Sequence, residues 1–290
     1  MHSWPIAQLT DRLAMRFGPD VAAWCADLPA LAARLADRWD LTLGEPYDGG
    51  ASSLAIRCTT ADGRPAVLKL TPDVPFLASQ VDMLRSLAPS GRVPEVLAHD
   101  ADAVVLEAVV PGTEATASPE QWAGLMTALH SVKPPASLER TLRGRMEEAF
   151  ARIGRRLDEP KIAARLSRAT WDRTIARCSR LLDTQTTTVL LHGDLHPGNV
   201  LDGGERGLVA IDPKTCVGDP CFDAFDYVVD AAGKEGIAVR CAEVASAAGL
   251  DPDRLFEWSR VNAPMAVIGH LTWGGPEEAI DELLALALPR

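Results

Sequence analysis

LLHGDLHPGNVL, residues 190 to 201, sets a carboxylate, two imidazoles, a carboxamide, a proline and two glycines between Leu190, Leu191 and Val200, Leu201. A segment selected for packing would carry apolar side chains at these positions, so the polar set points to chemistry. Asp194 precedes Asn199 by five residues, and Asp212, in the apolar-flanked VAIDPK, follows Asn199 by thirteen. GGERG between them is turn-forming, which predicts a short hairpin with Asn199 and Asp212 facing one another. Two oxygen donors on adjacent strand ends suit Mg²⁺, a hard ion that takes few protein ligands and completes its octahedron with phosphate oxygens and water. Asp194, upstream on the loop, stays off the metal and is placed to accept a proton.

The 290 residues, 47% hydrophobic and 24% charged, have the composition of a soluble globular protein with one large domain or two lobes. No run of about 18 uncharged apolar residues is present to span a bilayer. The N-terminal MHSWPIAQLTDRLAMRF lacks the basic start and unbroken apolar centre of a signal peptide. A cytoplasmic protein without a membrane segment is expected. Cysteines 25, 58, 178, 216, 221 and 241 form no CxxC pair and no zinc spacing, which predicts six reduced thiols.

A net charge of −11 removes the electrostatic footprint of a nucleic-acid binder. Residues 194 to 257 hold 13 acidic and 5 basic side chains, a local net of −8. Such a field attracts a cationic small molecule, or is simply a soluble acidic surface. Nothing in the sequence speaks to oligomeric state.

Two helices are predicted between residues 4 and 39, divided by the GPD of Gly18 to Asp20. Leu54 to Cys58 and Ala66 to Leu70 flank the turn-forming ADGRP as a hairpin, with the Gly-rich GGASS in front of it. Leu77, Val81, Leu84 and Ala88 form one stripe of an amphipathic helix. Two short strands follow, turning at Asp100 to Asp102, and Pro111-Gly112 stops the second. Helices are then expected over roughly 119–131, 139–155, 160–183, 220–232, 235–248 and, with breaks, 252–288, with one strand pair around 188–191 and 199–212. A sheet-rich first part and a helix-rich second part predict an α+β fold of two lobes, residues 1–110 and 111–290.

A loop Asp, an Asn five residues on and a later Asp after an apolar strand resemble the catalytic loop and metal-binding Asp of protein-kinase-like phosphotransferases. HGDLHPGN, with Gly193 before the Asp, resembles the aminoglycoside phosphotransferase branch. AIDPKTCVGDPCFDAFDYV and the early RFGPDVAAWCADLPALAARLADRWDLTLGEP are similar to its streptomycin 6-phosphotransferase and hydroxyurea phosphotransferase subfamily, over most of the chain. The resemblance implies a bilobal kinase-like fold, a small N-terminal lobe with an antiparallel sheet and a larger, mostly helical C-terminal lobe. It implies ATP and Mg²⁺ as cofactors, and transfer of phosphate to a hydroxyl of a small molecule.

On that resemblance Asp194 orients the acceptor hydroxyl and takes its proton, while Asn199 and Asp212 hold magnesium. Lys69, on the second hairpin strand in AVLKL, corresponds to the phosphate-contacting lysine, and Ser52 and Ser53 of GGASS lie where backbone amides approach phosphates. VVLEAVVPG, residues 104 to 112, resembles the segment linking the lobes, with Glu107 and Val109 contacting adenine through main chain. The pattern is broken at Gln80, which stands where a glutamate partner of Lys69 is expected.

His192 and His196 brace the loop, since Mg²⁺ prefers oxygen. Lys214, Asp219, Asp223 and Asp226 follow Asp212. Asp219 before Pro220 reads as a cap. Asp223 and Asp226, at i and i+3, share a helix face that meets a cationic acceptor or solvent. Trp258, His270 and Trp273 are either acceptor-pocket residues or core. An aminoglycoside such as streptomycin is the leading acceptor. Hydroxyurea, another metabolite hydroxyl, or a catalytically weak nucleotide-binding protein are the alternatives. No GxxxxGK[ST] occurs, so a P-loop kinase is excluded.

Overall fold

The computed structural model describes Trp4 and residues 6–48 and 52–288. They group into two compact units. One comprises the chain up to Ala88 with Val93–Gly112, and the other Pro89–Arg92 with the chain from Thr113.

The first unit opens with α1 (Ile6–Phe17) and α2 (Val21–Trp39). Gly18, at φ +81, makes the break between them. Asp40 ends α2 in a left-handed conformation, its amide bonded to the Ala36 carbonyl. Next come β1 (Thr42–Pro46), β2 (Leu54–Thr59), β3 (Pro65–Leu70), α3 (Val74–Leu87), β4 (Val96–His99) and β5 (Ala103–Glu107). The strands form one antiparallel sheet in the order β1-β2-β3-β5-β4. β2 alternates inward Leu54, Ile56 and Cys58 with outward Arg57 and Thr59. Leu9, Leu13 and Leu28 from the helices pack with Ile56, Leu68 and Val105 from the sheet as one buried core. Each such leucine contributes roughly 1.5–3 kcal/mol.

β1 was not expected. TLGEP offers no alternation, and its glycine and proline argue against a strand. It survives as an edge strand, where Pro46 need not donate to a neighbour, with a register slip between Leu43 and Pro46.

The second unit is mostly helical: α4 (Pro119–His130), α5 (Leu142–Gly154), α6 (Pro160–Ala163), α7 (Arg168–Asp183), α8 (Phe222–Val229), α9 (Ile237–Ala248), α10 (Pro252–Trp273) and α11 (Glu277–Ala287). Its helix starts are written locally. Ser118 and Gln121 form a reciprocal capping box, and Thr141, Ser167 and Asp251 cap α5, α7 and α10. The continuous helix expected over 160–183 is two helices, because the Ser167 hydroxyl accepts the Thr170 amide and restarts the helix there.

Two strand pairs, not one, interrupt the helices. β6 (Val189–Leu191) pairs with β9 (Cys216–Gly218), and β7 (Val200–Asp202) pairs with β8 (Leu208–Ala210). The hairpin expected across GGERG forms as β7–β8, and the partner of β6 is instead β9, beyond Asp212, where no strand was expected. Three-residue strands carry too few positions to display a period of two. In the core Trp122 stacks on Tyr227 at 4.4 Å between centroids. Trp258 is fully buried against Phe222 and Phe225, so it is core and lines no acceptor pocket. All six cysteines are buried free thiols.

Candidate active site

The HGD turn leaves β6 and folds back on itself. Gly193 has φ +79, and a Cβ there would lie 2.2 Å from the Lys214 carbonyl oxygen, so only glycine fits. The Lys214 amide donates to the His192 carbonyl at 2.8 Å, tying the turn to the segment after Asp212. His192 is fully buried. Its Nε2–H donates to the Ile211 carbonyl at 3.1 Å, and its Nδ1 accepts the Asp194 amide at 3.4 Å. Burial holds this imidazole below its ordinary value, although Asp223 and Asp194 pull the other way. A neutral ring is what this donor and acceptor pair requires. Burial likewise lowers His196, against the pull of Asp194.

Asp223 supports the same turn from below. Its Oδ2 accepts the His192 amide at 2.8 Å, its Oδ1 accepts the Gly193 amide at 2.9 Å, and His130 Nε2 donates to Oδ2 at 3.0 Å. The side chain is wholly inaccessible to solvent. Burial alone would raise this carboxyl, but the His130 hydrogen bond and charge and the Gly193 amide outweigh it and hold it below the usual range. The expectation that Asp223 meets a cationic acceptor is therefore corrected. It faces inward, and its oxygens are taken by the loop and α4.

Asp194 is clamped between two cations. Arg145 Nη2, from α5, lies 2.8 Å from Oδ1, and Lys214 Nζ lies 2.6 Å from Oδ2. Burial would raise the carboxyl, yet Lys214 and Arg145 together lower it. The Arg145 guanidinium also sits 5.8 Å from the Phe222 ring centroid. Asn199 Nδ2 donates to the Asp194 carbonyl oxygen at 2.9 Å, orienting the carboxamide so that its Oδ1 is turned from this bond.

The β7–β8 ladder continues one step beyond its ends, with the Ile211 amide donating to the Asn199 carbonyl at 2.9 Å. Asp212 follows at once, at φ +55, a left-handed conformation rare for a residue with a side chain. Such geometry is maintained only where surroundings impose it. Among the described residues no group of three or more His, Cys, Asp or Glu side chains could hold a metal by itself. One carboxamide and one carboxylate oxygen fit an ion that draws most of its ligands from phosphate and water, and Mg²⁺ is such an ion.

In the first unit Lys69 lies on β3, the central strand, opposite Ala55 on one side and Val104 on the other, and is only 8% exposed. α3 buries Gln80, on the stripe read from Leu77 and Val81, and exposes Asp82. Ser53 is buried, and the Ser52 carbonyl accepts the Thr71 hydroxyl at 2.8 Å. Gly49, Gly50 and Ala51 of the Gly-rich loop lie outside the described residues. The Glu107 amide donates to the Glu95 carbonyl at 2.9 Å, so an adenine contact from Glu107 would have to use its carbonyl. Gly112, at φ +71, turns so tightly that a Cβ would come 2.3 Å from the Val109 carbonyl oxygen.

The remaining expected residues divide. Asp226 Oδ1 accepts Asn262 Nδ2 at 2.7 Å, and burial, then the Asp194 charge, push this carboxyl up to about 7. Asp219 is structural, accepting the Cys221 amide at 3.0 Å and Trp258 Nε1 at 2.8 Å, and pairing with Arg254. Trp273, on the last turn of α10, is 79% exposed and takes no part in the Asp194 cluster. Sequence reasoning missed Arg145 altogether. Lys214 was in view but unassigned, and its place two residues after Asp212 was the available signal.

Residues 38–268 match the family model described as aminoglycoside/hydroxyurea antibiotic resistance kinase. The chain is 34% identical to streptomycin 6-kinase of Streptomyces griseus over 71% of its own length and 68% of that protein's. It is 31% identical to hydroxyurea phosphotransferase of Kitasatospora aureofaciens over 80% and 70% of the two lengths. The fold is similar to a macrolide 2'-phosphotransferase of Brachybacterium faecium, with TM-score 0.59, 22% identity and coverage of 91% and 99% of the two chains. It is also similar to a choline/ethanolamine kinase family protein of Mesorhizobium loti, with TM-score 0.63, 17% identity and coverage of 90% and 93%. The architecture is thus protein-kinase-like, and no helix among the described residues is long and apolar enough to cross a membrane. An HGD turn fixed by its glycine and closed on a clamped aspartate belongs, on this match over most of its length, to a small-molecule kinase of the aminoglycoside/hydroxyurea phosphotransferase family.

Proposed function

We propose that the chain is an ATP-dependent O-phosphotransferase whose acceptor is a hydroxyl of an aminoglycoside such as streptomycin. The observation that carries the acceptor class is the 34% identity to streptomycin 6-kinase over 71% of the chain. The local net charge of −8 over residues 194–257 favours a cationic acceptor. In this proposal the protein works in the cytoplasm, residues 1–110 are its nucleotide-binding lobe and residues 111–290 its catalytic lobe.

Asp194 receives the acceptor hydroxyl as a hydrogen bond and takes its proton as the oxygen bonds to the γ-phosphorus. Two cations make it a weak base, which suits a reaction limited by placement and charge stabilisation more than by basicity. Asn199 and Asp212 hold Mg²⁺, which supplies positive charge to the phosphate oxygens when bound. Lys69, the Ser52 and Ser53 backbone, the Glu107 carbonyl and the Val109 amide contact the nucleotide.

Hydroxyurea is the second reading, favoured by 31% identity over 80% of the chain to a hydroxyurea phosphotransferase. Incubation with ATP, Mg²⁺ and either streptomycin or hydroxyurea, read by the mass gain of one phosphate, separates the two. Asp194→Asn is expected to lower transfer by at least about 100-fold. Transfer to hydroxyurea alone would overturn the aminoglycoside reading, and undiminished transfer by the variant would overturn the role of Asp194.

A further inference from the structure

Resting on the kinase reading above, we propose that Lys214 is a catalytic residue that exchanges Asp194 for the transferring phosphoryl group. Both oxygens of Asp194 are engaged by cations, Oδ1 by Arg145 at 2.8 Å and Oδ2 by Lys214 at 2.6 Å. An acceptor hydroxyl can use a remaining lone pair, but an oxygen paired with a cation is a poor proton acceptor, so proton transfer favours one cation yielding. The two are not equally able to do so.

Arg145 is 24% exposed, its guanidinium lies near the Phe222 ring, and its Nε is buried with no hydrogen-bond partner. A planar fork in that setting keeps its aim or loses its site. Lys214 is 37% exposed and ends in a compact charge on a flexible four-carbon stem. Its main chain, by contrast, is fixed. The amide bonds the His192 carbonyl, and the carbonyl closes against Gly193. The ammonium therefore swings from an anchored base while Arg145 stays on Oδ1.

Its destination follows from the chemistry. In a productive complex the γ-phosphorus lies about 3–3.5 Å from the attacking oxygen, which is itself hydrogen-bonded to Asp194. An ammonium now 2.6 Å from Oδ2 is one side-chain rotation from the phosphoryl oxygens. In a chain of net charge −11, that anionic group needs a local cation more than Asp194 does once the hydroxyl has arrived. The acceptor oxygen–phosphorus bond forms, the bond from phosphorus to the bridging oxygen breaks with its electron pair leaving on ADP, and the hydroxyl proton passes to Oδ2 of Asp194. Lys214 keeps its proton throughout.

Calorimetric titration with Mg²⁺ and ADP, with and without aluminium fluoride as a mimic of the phosphoryl group in flight, tests this with water standing in for the acceptor hydroxyl. Lys214→Met is expected to lose about 100-fold in affinity for the fluoride complex while ADP alone stays within about threefold of wild type. Lys214→Gln serves if the methionine variant does not fold, and Lys214→Arg should recover most of the loss. Equal affinities in wild type and both uncharged variants, or equal loss with and without fluoride, would overturn the role. A wild type that binds neither form overturns the kinase reading along with it. Should streptomycin prove not to be the acceptor while the fluoride effect holds, only the acceptor assignment fails.

Discussion

Asp223→Asn tests the support of the reacting loop with little change in shape. The native carboxylate accepts three hydrogen bonds, from the amides of His192 and Gly193 and from His130 Nε2. Asparagine keeps one accepting oxygen; placed where Oδ2 stands it retains the His192 and His130 bonds, and its NH₂ then faces the Gly193 donor, which loses its partner in a place without solvent. At about 1–3 kcal/mol for a buried donor left unmet, the cost is about 2 kcal/mol. For a unit of this size that is a fall in Tm of about 4–8 °C. Because the folded-state carboxyl lies below its ordinary 3.8, its contribution is present above that pH and is lost as pH falls through the lower, folded value. The deficit of the variant should therefore be full at pH 7 and shrink in acid. Thermal melts by circular dichroism across pH give the answer, with kcat measured beside them. An unchanged Tm with a raised KM would refute the inward-facing support and return Asp223 to the acceptor surface.

Asp226 runs in the opposite sense. Its carboxyl is pushed up to about 7, so its contribution to stability is present below 3.8 and lost as pH rises through 7. Asp226→Asn should gain on wild type between pH 5 and pH 8, by about 2–3 kcal/mol, in parallel melts. A constant difference across that interval would contradict the shift. Gly193→Ala should lose at least about 2 kcal/mol and most activity, since both a left-handed backbone and the Lys214 carbonyl oppose a methyl there. Near-wild-type melting and turnover would show that the turn has more room than its geometry allows.

The features legible in the sequence were those encoded over a few neighbouring residues. GGERG declared the β7–β8 hairpin, GPD divided α1 from α2, and the stripe of Leu77, Val81 and Leu84 marked the buried face of α3. Asp223 and Asp226 were harder, because spacing of i and i+3 specifies a shared face but not which way that face looks. Three-residue β9 was too short to announce itself. Arg145 was invisible for a different reason. It stands 49 residues before Asp194 on another helix, and only the folded chain brings their charges together.

Asp223 points into the protein, so the scaffold that aims the Asp194 carboxylate does not depend on what the outer surface recognises. Residues facing the acceptor can be exchanged one after another without slackening the turn beneath Asp194. A lineage built on this plan is free to change the small molecule it recognises while inheriting the turn unaltered.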